Sequence, residues 1–156
     1  MKRLHLHIAT PDLDRSIAFY TALLGSAPVF RKPDYARWLV DEPALHLALS
    51  QGEVAAIDHL GIQSDTAGEL EEVRTRLQAS AILGREEQAV GCCYARSDKA
   101  WSTDPQGIAW EAFHSHGEAD TLAWDGNEAD SDACCIPLAN DRENRCCLPH
   151  EGASCC

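Results

Sequence analysis

The chain has 156 residues, enough for one domain with a hydrophobic core and too few for two domains of ordinary size. Its net charge of -12 speaks against nucleic-acid binding, which selects for basic surfaces. The N-terminus, MKRLHLHIATPDL, lacks the apolar run of a signal peptide, and no stretch approaches membrane-spanning length. We therefore expect a cytoplasmic protein that contacts neither nucleic acid nor membrane.

The first predicted elements are a strand and a helix within residues 5–27. Leu6 and Ile8 alternate with polar or small residues, which indicates a strand. Asp12 suits the N-cap of the helix that follows, and Gly25 suits its C-terminal cap. The apolar residues at helical spacing predict one buried face: Leu13, Ile17, Tyr20 and Leu24.

Residues 59–81 repeat residues 5–27 without a gap, at an offset of 59 − 5 = 54. The repeat aligns His5 with His59 and predicts a second strand and helix. Thr66 with Glu69 forms a capping-box pattern at the start of that helix. Its buried face is predicted to consist of Leu70, Val73 and Leu77.

A later match extends each copy by about three further strands. ALHLALS (44–50) aligns with AWEAFHS (109–115) at an offset of 109 − 44 = 65, which pairs His46 with Glu111. The chain therefore reads as an α+β fold of two βαβββ modules, and the second module is longer by 65 − 54 = 11 residues.

These matches define one domain over residues 1–116, with module 1 at about 1–52 and module 2 at about 56–116. Residues 117–156 hold 9 acidic and 2 basic side chains and few large aliphatic ones. Such a segment cannot bury enough apolar surface to offset its chain entropy, so we expect an acidic, disordered tail.

All eight cysteines stand in adjacent pairs, and the one pair within the predicted domain is Cys92–Cys93, in the insertion of module 2. The other pairs lie in the tail: Cys134–Cys135, Cys146–Cys147 and Cys155–Cys156. Thiols stay reduced in the cytosol, so paired cysteines favour metal, metalloid or redox chemistry. Neighbours on a regular strand point to opposite faces, so Cys92 and Cys93 can share one atom only in a loop or bulge, which Gly91 permits.

The segments DLDRSIAFYTALLG and DPQGIAWEAF resemble the helix and final-strand signatures of the vicinal oxygen chelate superfamily of glyoxalases, bleomycin resistance proteins and extradiol dioxygenases. The resemblance covers about residues 1–116 and implies a cupped sheet around a metal site. Within the superfamily, CCYARSDKAWSTDPQGIAWEAF after DHLGIQ is similar to the organoarsenical carbon–arsenic lyases and the related cadmium-induced proteins.

The resemblance implies that His5, His59 and Glu111 hold Fe(II) as a two-histidine, one-carboxylate triad. It also implies that Cys92 and Cys93 bind arsenic. His46 stays open as a fourth ligand, which would bring the site closer to glyoxalase-type chemistry. His7 shares a strand face with His5 but has little weight as a ligand, because the repeat aligns it with Gly61.

The implied function is that of an Fe(II)-dependent dioxygenase, with dioxygen as co-substrate. It would cleave the carbon–arsenic bond of methylarsenite or reduced aromatic arsenicals and release arsenite for detoxification. One alternative is a thiol-rich protein that sequesters arsenite or Cd(II) without turnover, and a less favoured one is a glyoxalase-like isomerase. Near the thiols, Tyr94 is interpreted as a packing residue and Lys99 as a solvated charge. The preference between methyl and aromatic arsenicals stays open, as does the choice between monomer and homodimer.

Overall fold

The computed structural model describes residues 1–122, and the three tail cysteine pairs lie outside these residues. Two βαβββ units follow one another along the chain, as the repeat predicts. Module 1 consists of β1 (Lys2–Thr10), α1 (Leu13–Leu24), β2 (Phe30–Lys32), β3 (Tyr35–Val40) and β4 (Leu45–Gln51). Module 2 consists of β5 (Ala56–Ser64), α2 (Ala67–Ala79), β6 (Glu86–Cys92), β7 (Ala95–Thr103) and β8 (Ala109–Glu118).

All eight strands join in one mixed sheet in the order β2-β3-β4-β1-β5-β8-β7-β6. The order of module 2 mirrors that of module 1, and the antiparallel pair of β1 and β5 lies at the centre. Leu6 pairs with Leu60, its own counterpart in the repeat, since 60 − 6 = 54. The pseudo-twofold axis of the domain therefore passes through this pair.

The register of the sheet corrects the alignment of the last strands. In module 1, His7 lies opposite Ala48, and in module 2 its counterpart Gly61 lies opposite Glu111. The structural offset is thus 111 − 48 = 63, so Glu111 corresponds to Ala48 and not to His46. A slip of two residues keeps every side chain on the same sheet face, so the strand pattern cannot detect it.

Both helices begin where the sequence predicts, and α1 also ends at its predicted cap. Asp12 accepts a hydrogen bond from the backbone N–H of Arg15 at 3.0 Å, and Thr66 accepts one from Glu69 at 3.2 Å. Gly25 ends α1 with a φ of 66°, a conformation that glycine adopts readily. Each helix packs on the strands of its own module, through clusters that include Leu13 with Trp38 and Leu70 with Ala112.

The β6–β7 hairpin of module 2 is longer than the β2–β3 hairpin of module 1. Strand β7 has nine residues, whereas β3 has six. At the tip, the Tyr94 hydroxyl donates to Asp34 Oδ1 at 2.6 Å, and the Tyr94 ring lies 5.6 Å from that of Phe30. The two edge hairpins therefore meet, which curls the sheet around its inner face.

The chain beyond β8 returns to this hairpin. Strand β8 continues to Glu118, and the carbonyl groups of Thr121 and Leu122 accept hydrogen bonds from the backbone of Tyr94 and Cys93. Leu122 is buried against Tyr35 and Ala48. Within residues 1–122, neither α1 nor α2 has the length and hydrophobicity of a transmembrane helix.

Candidate metal and thiol site

Three side chains predicted as metal ligands meet on the inner face of the sheet. His5 Nε2 lies 3.1 Å from His59 Nε2, and Glu111 Oε2 lies 3.3 Å from His59 Nε2 and 3.8 Å from His5 Nε2. The exposed fractions of the three residues are 3%, 7% and 4%. Strands β1, β5 and β8 supply one residue each, so the cluster exists only when the two modules are paired.

Gly61 allows β5 and β8 to approach closely beside this cluster. It lies between His5 on β1 and Glu111 on β8 in the register of the sheet. A Cβ at this position would overlap the backbone carbonyl oxygen of Glu111. A side chain larger than hydrogen would thus push β8 away from β5 and separate Glu111 from the two histidines.

Substitution Gly61→Ala is expected to lower the free energy of unfolding by about 3 kcal/mol, because the overlapping atom belongs to the backbone and cannot rotate away. The matched control is Gly68→Ala in α2, where the added Cβ has only Thr66 Oγ1 within 4 Å, at 3.9 Å. That change should be neutral or stabilising. Urea denaturation followed by circular dichroism compares the two, and equal stabilities would contradict the close approach at Gly61.

A buried lysine neutralises the carboxylate, which corrects the expectation of a solvated charge at Lys99. Lys99 Nζ lies 2.7 Å from Glu111 Oε1, and the Lys99 side chain is only 8% exposed. Burial alone would raise the pKa of Glu111, but the Lys99 ammonium and the hydrogen bond to His59 lower it to about 2. Glu111 is therefore an anion whose second oxygen faces the histidines.

Two carboxylates, from Asp58 and Glu111, contact the two ring nitrogens of His59. Its Nδ1 donates to Asp58 Oδ2 at 2.6 Å, while its Nε2 faces Glu111. Burial lowers the pKa of His59, but these two carboxylates outweigh burial and raise the pKa to about 9. At pH 7 the His59 ring is therefore protonated, and its Nε2 proton faces His5 and Glu111. A divalent cation in the place of this proton would contact the same three side chains.

The donor set fits a transition metal. Two imidazoles and one carboxylate form the facial triad that suits Fe(II) and leaves coordination positions open. Asp58 provides the carboxylate that commonly supports a metal-binding histidine through its other ring nitrogen. The residues present are therefore suitable for the metal that the resemblance implies.

Two further histidines, His7 and His46, are buried beside the cluster. The ligand atoms of His5, His7 and His59 all lie within 4.8 Å of one another and could hold a metal ion. His46, left open as a fourth ligand, is not part of this group and packs on His5 with ring centroids 4.5 Å apart. Burial lowers the pKa of His7 to about 4 and that of His46 to about 3, so both rings are neutral at pH 7.

The thiol pair stands in the tight turn between β6 and β7. Cys93 and Tyr94 form this two-residue turn with φ values of 57° and 60°, and Cys92 pairs with Ala95 across it. The turn brings Cys92 Sγ to 3.3 Å from Cys93 Sγ, well beyond the ~2.05 Å of a disulfide. A turn thus directs both sulfur atoms to one side, but Gly91 is not the residue that forms it.

The thiols and the histidine–carboxylate cluster line one cavity of about 40 Å³. The same cavity contains Lys99. Burial lowers the pKa of this lysine, but the charge of Glu111, followed by those of Cys92 and Cys93, outweighs burial and raises the pKa well above its usual value. Aromatic walls complete the cavity, from Tyr35, Trp101 and Phe113. The arrangement can hold a thiophilic atom and a metal in one cavity with aromatic walls.

Known proteins share the sequence pattern and the fold of this chain. Residues 2–112 match the Glyoxalase/Bleomycin resistance protein/Dioxygenase superfamily. The trivalent organoarsenical cleaving enzyme of Thermomonospora curvata is 38% identical over 159 aligned positions, which cover 100% of both chains. Cadmium-induced protein CadI of Mycobacterium bovis is 29% identical over 86% of this chain and 93% of its own. An extradiol ring-cleaving dioxygenase from B. fuscum superimposes with a TM-score of 0.54 at 18% identity, over 77% of this chain and 34% of that chain, which shows the fold alone.

Proposed function

Because the chain belongs to the glyoxalase/bleomycin resistance protein/dioxygenase superfamily, we propose that it cleaves the carbon–arsenic bond of trivalent organoarsenicals and releases arsenite. In this proposal His5, His59 and Glu111 hold Fe(II), and Cys92 and Cys93 bind the arsenic. The observation that carries the proposal is the thiol pair, with sulfur atoms 3.3 Å apart, in the same cavity as the metal-binding cluster. The full-length similarity to an enzyme named for this reaction supports it.

Substrate capture follows from the chemistry of the thiol pair. An arsonous acid with two hydroxyl groups reacts with two thiols to form two As–S bonds, and two molecules of water leave. The thiolate is the reactive form, and a nearby ammonium group such as Lys99 favours it. A pair of sulfur atoms already 3.3 Å apart binds one arsenic atom with little rearrangement.

The turn then positions the organic group on arsenic. Because Cys92 and Cys93 line the cavity together with Glu111, the bond to be broken lies near the metal-binding cluster. The buried walls keep water from the reacting carbon. When bound, Fe(II) would supply the redox chemistry that oxidation by dioxygen requires.

The size of the cavity favours a methyl group as the organic substituent. Its volume of about 40 Å³ is far below the roughly 150 Å³ of an engineered cavity that accommodates benzene. A phenyl substituent would therefore have to displace one of the aromatic walls or project from the mouth. We accordingly propose methylarsenite as the preferred substrate.

The test is reconstitution with Fe(II) without oxygen, followed by air and methylarsenite, with the arsenic species separated by chromatography. Arsenite is expected in molar excess over protein, only when both iron and oxygen are present, and phenylarsenite should react more slowly. Methylarsenite that stays intact and bound in proportion to the thiol pairs would contradict turnover.

That contrary result would support the second candidate, sequestration of arsenite or Cd(II) by thiols. This candidate is favoured by the paired sulfur atoms and by the similarity to a protein named as cadmium-induced. The buried cluster of His5, His59 and Glu111 argues against it, because thiol sequestration has no use for these residues.

A further inference from the structure

His7 is a buried imidazole beside the proposed metal ligands with no role in the function described above. It is 2% exposed and lies directly opposite His59 in the antiparallel pair of β1 and β5. Its ring centroid is 4.9 Å from that of His59 and 6.3 Å from that of His5. His5 and His7 point to the same face because they are two residues apart on one strand. Three imidazoles therefore converge from two neighbouring strands.

Ser50 fixes the orientation of the His7 ring. The Ser50 hydroxyl lies 3.0 Å from His7 Nε2, and Ser50 is fully buried on β4. When this oxygen accepts a hydrogen bond from Nε2–H, the lone pair of the ring is on Nδ1. Metal-binding histidines are commonly held in this manner, with one nitrogen fixed by a neighbouring oxygen and the other free to bind.

The distances are compatible with a shared ion. The ligand atoms of His5, His7 and His59 lie within 4.8 Å of one another. Two nitrogens bound to one metal at about 2.1 Å each can be at most about 4.2 Å apart. Three nitrogens that each lie about 2.1 Å from one metal can be at most about 3.6 Å from one another. Side-chain rotations that bring the nitrogens of the widest pair closer by at most about 1.2 Å would thus bring all three to one ion.

We propose that His7 is a fourth protein ligand, so that the metal is held by three imidazoles and the Glu111 carboxylate. The inference rests on the metal site of the proposed function and extends it. A metal with six coordination positions would then keep two open instead of three. This loss is tolerable here because Cys92 and Cys93, rather than the metal, bind the arsenical substrate in the proposed reaction.

The test measures metal binding without any arsenical. Co(II) serves as the probe, because the intensity of its visible absorption reports the number of ligands. His7→Ala is expected to weaken Co(II) binding by about 100-fold and to change the absorption spectrum. The matched control is His46→Ala, which removes another buried imidazole of the same cavity and should leave affinity and spectrum close to those of the wild type.

His7→Gln provides a second variant that retains a polar group near Ser50, and thermal unfolding identifies any variant that fails to fold. Wild-type affinity and spectrum in folded His7→Ala or His7→Gln would overturn the proposal, as would equal losses in the His7 and His46 variants. The readout is separate from the proposed function. A wild-type protein that binds Co(II) through His7 yet never cleaves methylarsenite would disprove the reaction alone.

Discussion

Replacement of either Cys92 or Cys93 by serine is expected to reduce the turnover of methylarsenite at least about 100-fold, because a single thiolate loses the second, intramolecular As–S bond. The two sulfur atoms lie 3.3 Å apart at one turn, and residues 1–122 contain no other cysteine that could take the place of either. The initial rate of arsenite formation is the quantity to measure.

A natural control for this prediction is the double variant Cys155→Ser and Cys156→Ser, which removes an adjacent pair outside the described residues. Its turnover should stay near the wild-type value. Co(II) affinity should be unchanged in the Cys92 and Cys93 variants, which separates loss of arsenic binding from damage to the metal site. Normal turnover in either single variant would exclude the thiol pair as the arsenic site.

Substitution Glu111→Gln is expected to remove high-affinity metal binding and, at the same time, to destabilise the fold by about 3 kcal/mol. The carboxylate is 4% exposed and compensates the buried Lys99 ammonium at 2.7 Å, so the amide leaves that charge without its anion. Metal titration and urea denaturation give the two quantities independently.

The double variant Lys99→Met and Glu111→Gln separates the two roles of the carboxylate. Replacing both members of a buried ion pair is often neutral for stability, so most of the lost stability should return. Metal binding should not return, since the ligand is still missing. Recovery of both properties would mean that Glu111 acts only as the counter-ion of Lys99.

The sequence repeat predicted the parts of the fold that depend on local pattern. The offset of 54 located both strand–helix units, and the pairing of Leu6 with Leu60 is its direct structural expression. Helix caps at Asp12 and Thr66 were equally visible, because capping depends on a few neighbouring residues. The α+β fold of two βαβββ modules is confirmed.

The site was less predictable because it depends on register between strands. Pairing His46 with Glu111 was wrong by two residues, an error that leaves the alternation of the strand unchanged. The repeat gives His7 little weight as a ligand because its counterpart is Gly61, and the structure shows a separate reason for that glycine, which leaves room for Glu111. The prediction of a solvated charge at Lys99 was wrong, because a lysine is rarely buried unless an anion pairs with it. Its anion, Glu111, lies on another strand, so the local sequence does not reveal the pair.

The central pairing of β1 with β5 also affects how the chain reaches its native state. Until β5 has been synthesised, module 1 presents β1 as an open strand edge, with unpaired backbone groups along LHLHI. The β5 strand of another molecule has the same sequence and so presents the same backbone groups to this edge. Exchange of modules would then yield a dimer in which each site takes His5 from one chain and His59 from the other. If modules exchange in this way, the fraction of dimers rises with the protein concentration during folding.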